Sequence, residues 1–328
     1  MPSIPVARVI RSGVEESVHY GDVAVADADG GVVASCGDPE RVVFARSTMK
    51  PLQAAVSLSH LPFDPPDAEV AVMSASHNAE PVHLEAVRSL LKRAGVSESA
   101  LQCPPFRPWD EETAARSSER RRINSDCSGK HAGMLAACAA RGWPTETYLD
   151  PAHPLQESVL GWVTEVSGQH PVSIGVDGCG VPVHALPLRA VATIYARLGS
   201  PERISGLEPQ VRRVVAGMRG APYHVAGRNR VDTAVMESVP GVVVKSGAEA
   251  LICGGVLDRG LGVAVKVRDG GARAAGPALI RVMEALGLFR GHPAVVLEPF
   301  RRPPVLGGGE PVGQIVAEFD VTPARPLR

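Results

Sequence analysis

Ser47-Thr48-Met49-Lys50 sets a hydroxyl and an amine three residues apart. At a helix start that spacing brings the Lys50 amine beside the Ser47 hydroxyl. A neutral amine can take the hydroxyl proton, provided burial or nearby cations lower its pKa. The free N–H groups of the same helix start would face a developing oxyanion. This is equipment for acyl transfer. Ser76-His77-Asn78 and Lys245-Ser246-Gly247 supply a second serine and a second lysine. The chain has 328 residues but only five lysines, at 50, 92, 130, 245 and 266, so three lysines in chemical motifs is a pointed result. Arginine could not substitute at such places, because it does not lose its proton in a protein.

Lys130 belongs to Cys127-Ser128-Gly129-Lys130-His131, where Cys127, Lys130 and His131 share one helix face. Asp177-Gly178-Cys179-Gly180 follows a short apolar run. Two thiolates with one or two nitrogen or carboxylate groups can hold Zn²⁺. Two buried cysteines that never meet is the plainer alternative. Cys36, Cys103, Cys138 and Cys253 have no such neighbours and read as buried thiols.

The elements that must carry these residues follow from apolar patterning. Short apolar runs at Val6–Ile10, Asp22–Ala26, Val32–Ser35 and Val42–Ala45, with Asp29-Gly30 as a hairpin turn, predict an antiparallel meander. Helical spacing predicts helices over Ser47–Leu61, with Ser47 as N-cap, and over Pro81–Ala94. Lys130–Ala140, Leu155–Val166, Leu186–Leu198 and Ser205–Met218 also read as helices, and Val172–Val176 as a short buried strand. Strands return at Val242–Lys245, Leu261–Val267 and Val312–Phe319, with a helix over Pro277–Leu288 between them. The expectation is an α/β (α+β) fold in one domain over 1–328. Its antiparallel sheet comes from both termini (about 1–60 and 240–328) and is flanked by helices, with a mainly helical region inserted over about 61–239.

Charge and composition narrow the function. Lys plus Arg is 34 and Asp plus Glu 35, a net charge of −1, which argues against general nucleic-acid or anionic-membrane binding. Arg120-Arg121-Arg122 is the one basic run and reads as a solvated helix end. A hydrophobic share of 45% is too high for a disordered chain. No apolar stretch nears the roughly 18 residues of a spanning helix, and the first residues do not read as a signal segment. Six cysteines in so long a chain do not suggest a disulfide framework. A reducing, cytoplasmic enzyme is expected.

The order S-x-x-K, S-x-N, K-S-G is that of active-site serine penicillin-binding proteins and β-lactamases. The spacing here departs from theirs, since Ser76 follows Ser47 by only 29 residues. Ala45–Pro51, Ser74–Glu80, Cys127–Met134, Asp177–Pro182, Gly227–Met236 and Lys245–Glu249 together resemble the rhizobial-type L-asparaginase II family over nearly the whole chain. The Cys127–Met134 and Asp177–Pro182 blocks are the most specific, because lactamases lack them. The resemblance implies a fold like that of serine β-lactamases, penicillin-binding proteins and serine glutaminases. It implies two Ser–Lys pairs, Ser47 with Lys50 and Ser76 with Lys245. It also implies one zinc per subunit on Cys127, Lys130 and Cys179, a homodimer, and hydrolysis of L-asparagine. Serine-dependent L-glutaminase, or a related cytoplasmic amidohydrolase, is the alternative. For substrate binding, Arg46 and Arg230 suit a carboxylate, Asp177 and Glu249 an ammonium, and Ala248 an oxyanion. His77, Asn78 and His131 complete the predicted lining. Ala250 stands where the family more usually has Gly.

Overall fold

The computed structural model describes residues 2–117, 119–289 and 294–323. In chain order the strands and helices are β1 (Ile4–Arg11), β2 (Val14–Asp27), β3 (Val32–Cys36), β4 (Val42–Phe44), α1 (Lys50–Leu58), α2 (Asp67–Met73), α3 (Pro81–Arg93), α4 (Glu111–Arg116), α5 (Ser128–Arg141) and α6 (Pro154–Ser167). They continue as β5 (Ser173–Val176), β6 (Pro182–Pro187), α7 (Leu188–Leu198), α8 (Glu208–Gly220), α9 (Val231–Ser238), β7 (Val242–Gly247), β8 (Leu251–Val256), β9 (Leu261–Val267), α10 (Ala275–Ala285), α11 (Glu298–Arg301), β10 (Pro304–Gly307), β11 (Glu310–Val316) and β12 (Thr322–Pro323). The fold is mixed α/β. Two compact units share the chain: residues 1–48, 186–200 and 234–328 form one, and residues 49–185 and 201–233 the other.

The first unit is built on an antiparallel sheet of order β10-β11-β1-β2-β9-β8-β7, with β3 pairing β2 and β12. Strands from both ends of the chain therefore share one sheet, as the apolar patterning predicts. The fourteen-residue β2 is the pivot. Its first half pairs with β1, its second half with β3, and residues 21–27 with β9 on the other side. The helix α7 packs on β2, β8 and β9, and α10 on β8 and β9. With helices against it, β8 is buried at all six residues. Its Leu-Ile-Cys-Gly-Gly-Val sequence shows no alternation for that reason, and patterning passes over it. The predicted strand Val42–Ala45 shortens to β4 and stands outside this sheet.

The second unit is helical. Within it α1 packs on α5, α6 and α8, α2 on α5 and α8, and α3 on α5. Close approach is possible because of Gly129: a Cβ there would lie 2.1 Å from the Val72 carbonyl oxygen of α2. That contact fixes the first turn of α5, where Lys130 and His131 stand.

Two expectations are corrected. The predicted helix from Ser47 starts as a 3-10 turn over Arg46–Met49, and the α-helix begins at Lys50 with Met49, not Ser47, at its N-cap. Pro51 accounts for this, since it sits in the first turn where its missing N–H costs nothing. The predicted buried strand over Val172–Val176 is instead exposed, with Val176 at 79%. Among the described residues no helix is long and apolar enough to cross a membrane.

Candidate active site

In the helical unit Lys50 is wholly buried at the head of α1. Its Nζ donates to the Ala75 carbonyl at 2.6 Å and lies 2.9 Å from Ser76 Oγ. The Asp126 carboxylate is 3.9 Å away. Ser76 is held by backbone bonds on both sides of it. Its N–H donates to the Val225 carbonyl at 3.0 Å, and the Asn78 N–H to Ala226 at 3.0 Å. The contact places Lys50 and Ser76 together, a pairing the sequence motifs do not name.

The other residues of this segment are also tied down. His77 Nε2 lies 2.9 Å from Ser128 Oγ, while its Nδ1 accepts the Ala79 N–H at 3.1 Å. Burial, and then the charges around it, push His77 well below the ordinary imidazole value. Asn78 accepts from Arg230 Nη1 at 2.9 Å and donates to the Arg228 carbonyl at 2.9 Å.

Cys127, Lys130 and Cys179 converge in the same unit, all buried. Cys127 is the N-cap of α5, with Lys130 and His131 in the first turn. Cys179 sits in the tight turn after β5, closed by Gly180 N–H to the Asp177 carbonyl at 2.9 Å. Gly180 has φ +90°, a conformation glycine adopts without strain. Lys130 Nζ donates to Cys179 Sγ at 3.0 Å. The Cys127 thiol beside it holds the Cys179 thiol far below its ordinary value, against burial and with help from Lys130. The same pairing, with burial, drives Cys127 up. Burial pulls the Lys130 ammonium down, but Cys179, Cys127 and Asp177 outweigh it and the net direction is up.

Sulfur and nitrogen donors are what Zn²⁺ prefers. Two sulfurs and one amine meet here, so the residues fit that ion once Lys130 gives up its proton. Among the described residues no group of three or more His, Cys, Asp or Glu is arranged to hold a metal, so the fit depends on Lys130. Around the cluster stand residues that motif reading passes over. Cys103 is buried beside it, its pKa pushed up to about 11 mainly by burial. Tyr148 bonds His131.

The other predicted residues lie in the sheet unit. Ser47 is 8% exposed in the 3-10 turn Arg46–Met49. Arg46 has φ +47°, unusual for a side chain of its size. The turn is anchored by the Thr48 N–H and hydroxyl, both donating to the Ala45 carbonyl, and by the Tyr195 hydroxyl donating to the Thr48 carbonyl at 2.7 Å. Lys245 on β7 is fully buried, with Nζ donating to the Ser246 carbonyl at 2.6 Å. Ala248 and Glu249 are exposed in the turn after β7. Glu249 and Ala250 have φ +59° and +53°. A left-handed backbone at 250 gives a physical reason for glycine there, and Ala250 adopts it at some cost. The predicted catalytic four divide two and two: Ser47 and Lys245 belong to the sheet unit, Lys50 and Ser76 to the helical one.

Buried serine and lysine side chains are candidates for a nucleophile and a base. A family model described as L-asparaginase II matches residues 7–317. The chain belongs to the L-asparaginase II family and is an amidohydrolase. None of the curated proteins compared with it matches in sequence. Among solved structures it is similar to Mglu in its glutamate form, at 14% identity over 84% of this chain and 63% of that one, with a TM-score of 0.49. It is also similar to a β-lactamase from Mycobacterium bovis, at 15% identity over 82% of this chain and 95% of the other, with a TM-score of 0.44. The chain spans 69%, 63% and 61% of three Mglu chains.

Proposed function

We propose that this amidohydrolase cleaves the side-chain amide of L-asparagine, giving L-aspartate and ammonia through an acyl-enzyme. Family membership supports the reading, and one contact supports the role of Lys50 in it: the fully buried Lys50 amine lies 2.9 Å from a serine oxygen, that of Ser76. Ser47 attacks the amide carbon as the Lys50 amine takes the hydroxyl proton. The N–H groups of Ser47 and of the strand near Ala248 donate to the developing oxyanion. Ser76 and Lys245 relay a proton to the leaving ammonia. Water then attacks the ester by the reverse transfers and frees aspartate. Arg46 and Arg230 serve the substrate carboxylate, Asp177 and Glu249 its ammonium. His77, Asn78 and His131 support that lining. Cys127, Lys130 and Cys179 would hold Zn²⁺, which would fix a polar group of the substrate or stiffen the site. A homodimer acting in the cytoplasm completes the proposal.

The Lys50–Ser76 contact also favours a second reading, with Ser76 as nucleophile and Lys50 as its base. Peptide mapping of the trapped aspartyl ester after an acid quench separates the two. Lys50→Arg keeps charge and loses basicity, so ammonia release should fall about 10²–10⁴-fold, the usual worth of a general base. Activity near wild type in Lys50→Arg would refute the reading. Parallel kinetics on asparagine and glutamine decide the substrate, because one methylene in a pocket is worth only about 1–3 kcal/mol.

A further inference from the structure

In the helical unit the loop at 225–230 is fastened to the segment that carries Ser76. The Ser76 and Asn78 N–H groups donate to the Val225 and Ala226 carbonyls. Glu80, buried at the N-cap of α3, closes the join. Its Oε1 accepts the Arg228 N–H at 2.9 Å, and its Oε2 accepts the Tyr223 hydroxyl at 2.5 Å. Gly227, at φ +106°, lets the backbone pass this carboxylate, since a Cβ there would lie 2.3 Å from Oε1.

The join fixes the Asn78 amide. Its Nδ2 meets two acceptors, the Arg228 carbonyl at 2.9 Å and Glu80 Oε1 at 3.4 Å. Turned end for end, the amide would set its oxygen against both. Oδ1 therefore faces Arg230 Nη1, which donates to it at 2.9 Å. Two arginines of one loop are thus held in different ways. Arg228 pairs with Glu112 and has Asp110 and Glu80 each at 3.8 Å. Arg230 is half-buried and forms no ion pair among the described residues. A neutral oxygen orients it without cancelling its charge. A guanidinium has five N–H donors in a flat fork, so one bond to Asn78 leaves others for a carboxylate.

We infer that Asn78 is a positioning residue: locked by Glu80 and the Arg228 carbonyl, it aims Arg230 with an uncharged oxygen and leaves that guanidinium to the α-carboxylate of the substrate. The inference rests on the proposed carboxylate role of Arg230 and gives that role its selectivity. A half-buried cation without an anion is costly, and an anionic group on the ligand offsets the cost where a neutral one does not.

The test is calorimetric binding of L-aspartate and of its α-amide to the full chain, two ligands of one shape that differ by one charge. The wild type should prefer L-aspartate by roughly 10- to 100-fold, the worth of a hydrogen bond between charged groups. Arg230→Gln should abolish that preference, and Asn78→Ala should lower it about 3–10-fold. In the double variant Asn78→Ala should lower it no further, because the residue acts through Arg230. An additive loss would place Asn78 on the ligand itself and overturn the inference. An equal loss for both ligands marks a merely structural role and overturns it too, as does an unchanged preference in Asn78→Ala. Asn78→Ser replaces Asn78→Ala if that variant does not fold. An undiminished preference in Arg230→Gln, or none in the wild type, sinks the carboxylate role of Arg230 and this inference with it. Loss in Arg230→Gln without loss in Asn78→Ala sinks the positioning alone.

Discussion

Acid should destabilise this protein before its carboxylates begin to titrate. His83 is wholly buried in α3, and burial first of all lowers its pKa from 6.5 to about 4. Both ring nitrogens are committed as a neutral imidazole. Nδ1 accepts the Glu80 N–H at 3.2 Å, and Nε2 donates to the Tyr223 carbonyl at 3.0 Å. Protonation would set a new N–H against the Glu80 N–H. In the unfolded chain the same ring titrates at its ordinary value near 6.5. Between pH 6.5 and 4 the unfolded state therefore binds more protons, and stability falls as pH falls. Above pH 6.5 the contribution is fully present. At pH 5 the difference for one such histidine is about 2 kcal/mol. His184, also buried and lowered to about 4, adds about as much. His77 acts in the same direction. The expected loss from His83 and His184 together is about 4 kcal/mol between pH 7.5 and 5, a large share of the roughly 5–15 kcal/mol of a typical domain. Urea unfolding followed by circular dichroism at the two pH values reads it directly. His83→Gln should start less stable but lose about 2 kcal/mol of the pH dependence. Equal wild-type stability at the two pH values would refute the reasoning, as would an undiminished dependence in His83→Gln.

Two further outcomes follow from the geometry. Gly129→Ala puts a methyl 2.1 Å from a backbone oxygen, so α5 must shift away from α2. A loss of at least about 1–3 kcal/mol is expected by urea unfolding, and a neutral result would mean the two helices part easily. Zinc at about 100 times its Kd should raise stability by about 2.7 kcal/mol, read as a thermal shift. Lys130→Arg, which cannot release a proton to coordinate, should abolish that shift; an undiminished one would remove Lys130 from the ligand set.

Much of the candidate site is legible in the sequence because lysine is scarce. The three lysines in motifs, Lys50, Lys130 and Lys245, are buried, while Lys92 is exposed and Lys266 half-buried. The sheet drawn from both termini is legible from alternation and turn residues, as are α3, α5, α6 and α7 from their spacing. Other features are set by tertiary contact, which local pattern does not record. The run at 172–176 is apolar enough to suggest burial, yet β5 is left exposed. Tyr148 and Cys103 reach the thiol cluster by packing from irregular segments with no motif of their own. The contact of Lys50 with Ser76 joins residues 26 apart that belong to two different motifs. Patterning also assigns α7 to the helical region, although it covers the sheet.

The position of β2 has a consequence for synthesis. It pairs with β1 and β3 almost as soon as they are made, but its other edge waits for β9, where Asp22 faces Lys266 and Asp27 faces Leu261. At roughly 5–20 residues per second on the ribosome, that edge stays unpaired for about 10–50 s. Between Asp22 and Asp27, its waiting residues Val23 to Ala26 are apolar. Open apolar edges of this kind invite pairing with a neighbouring chain. All of the helical unit lies before residue 234 and is translated by then. On a crowded polysome, yield should therefore turn on how this one strand is shielded until translation reaches β9.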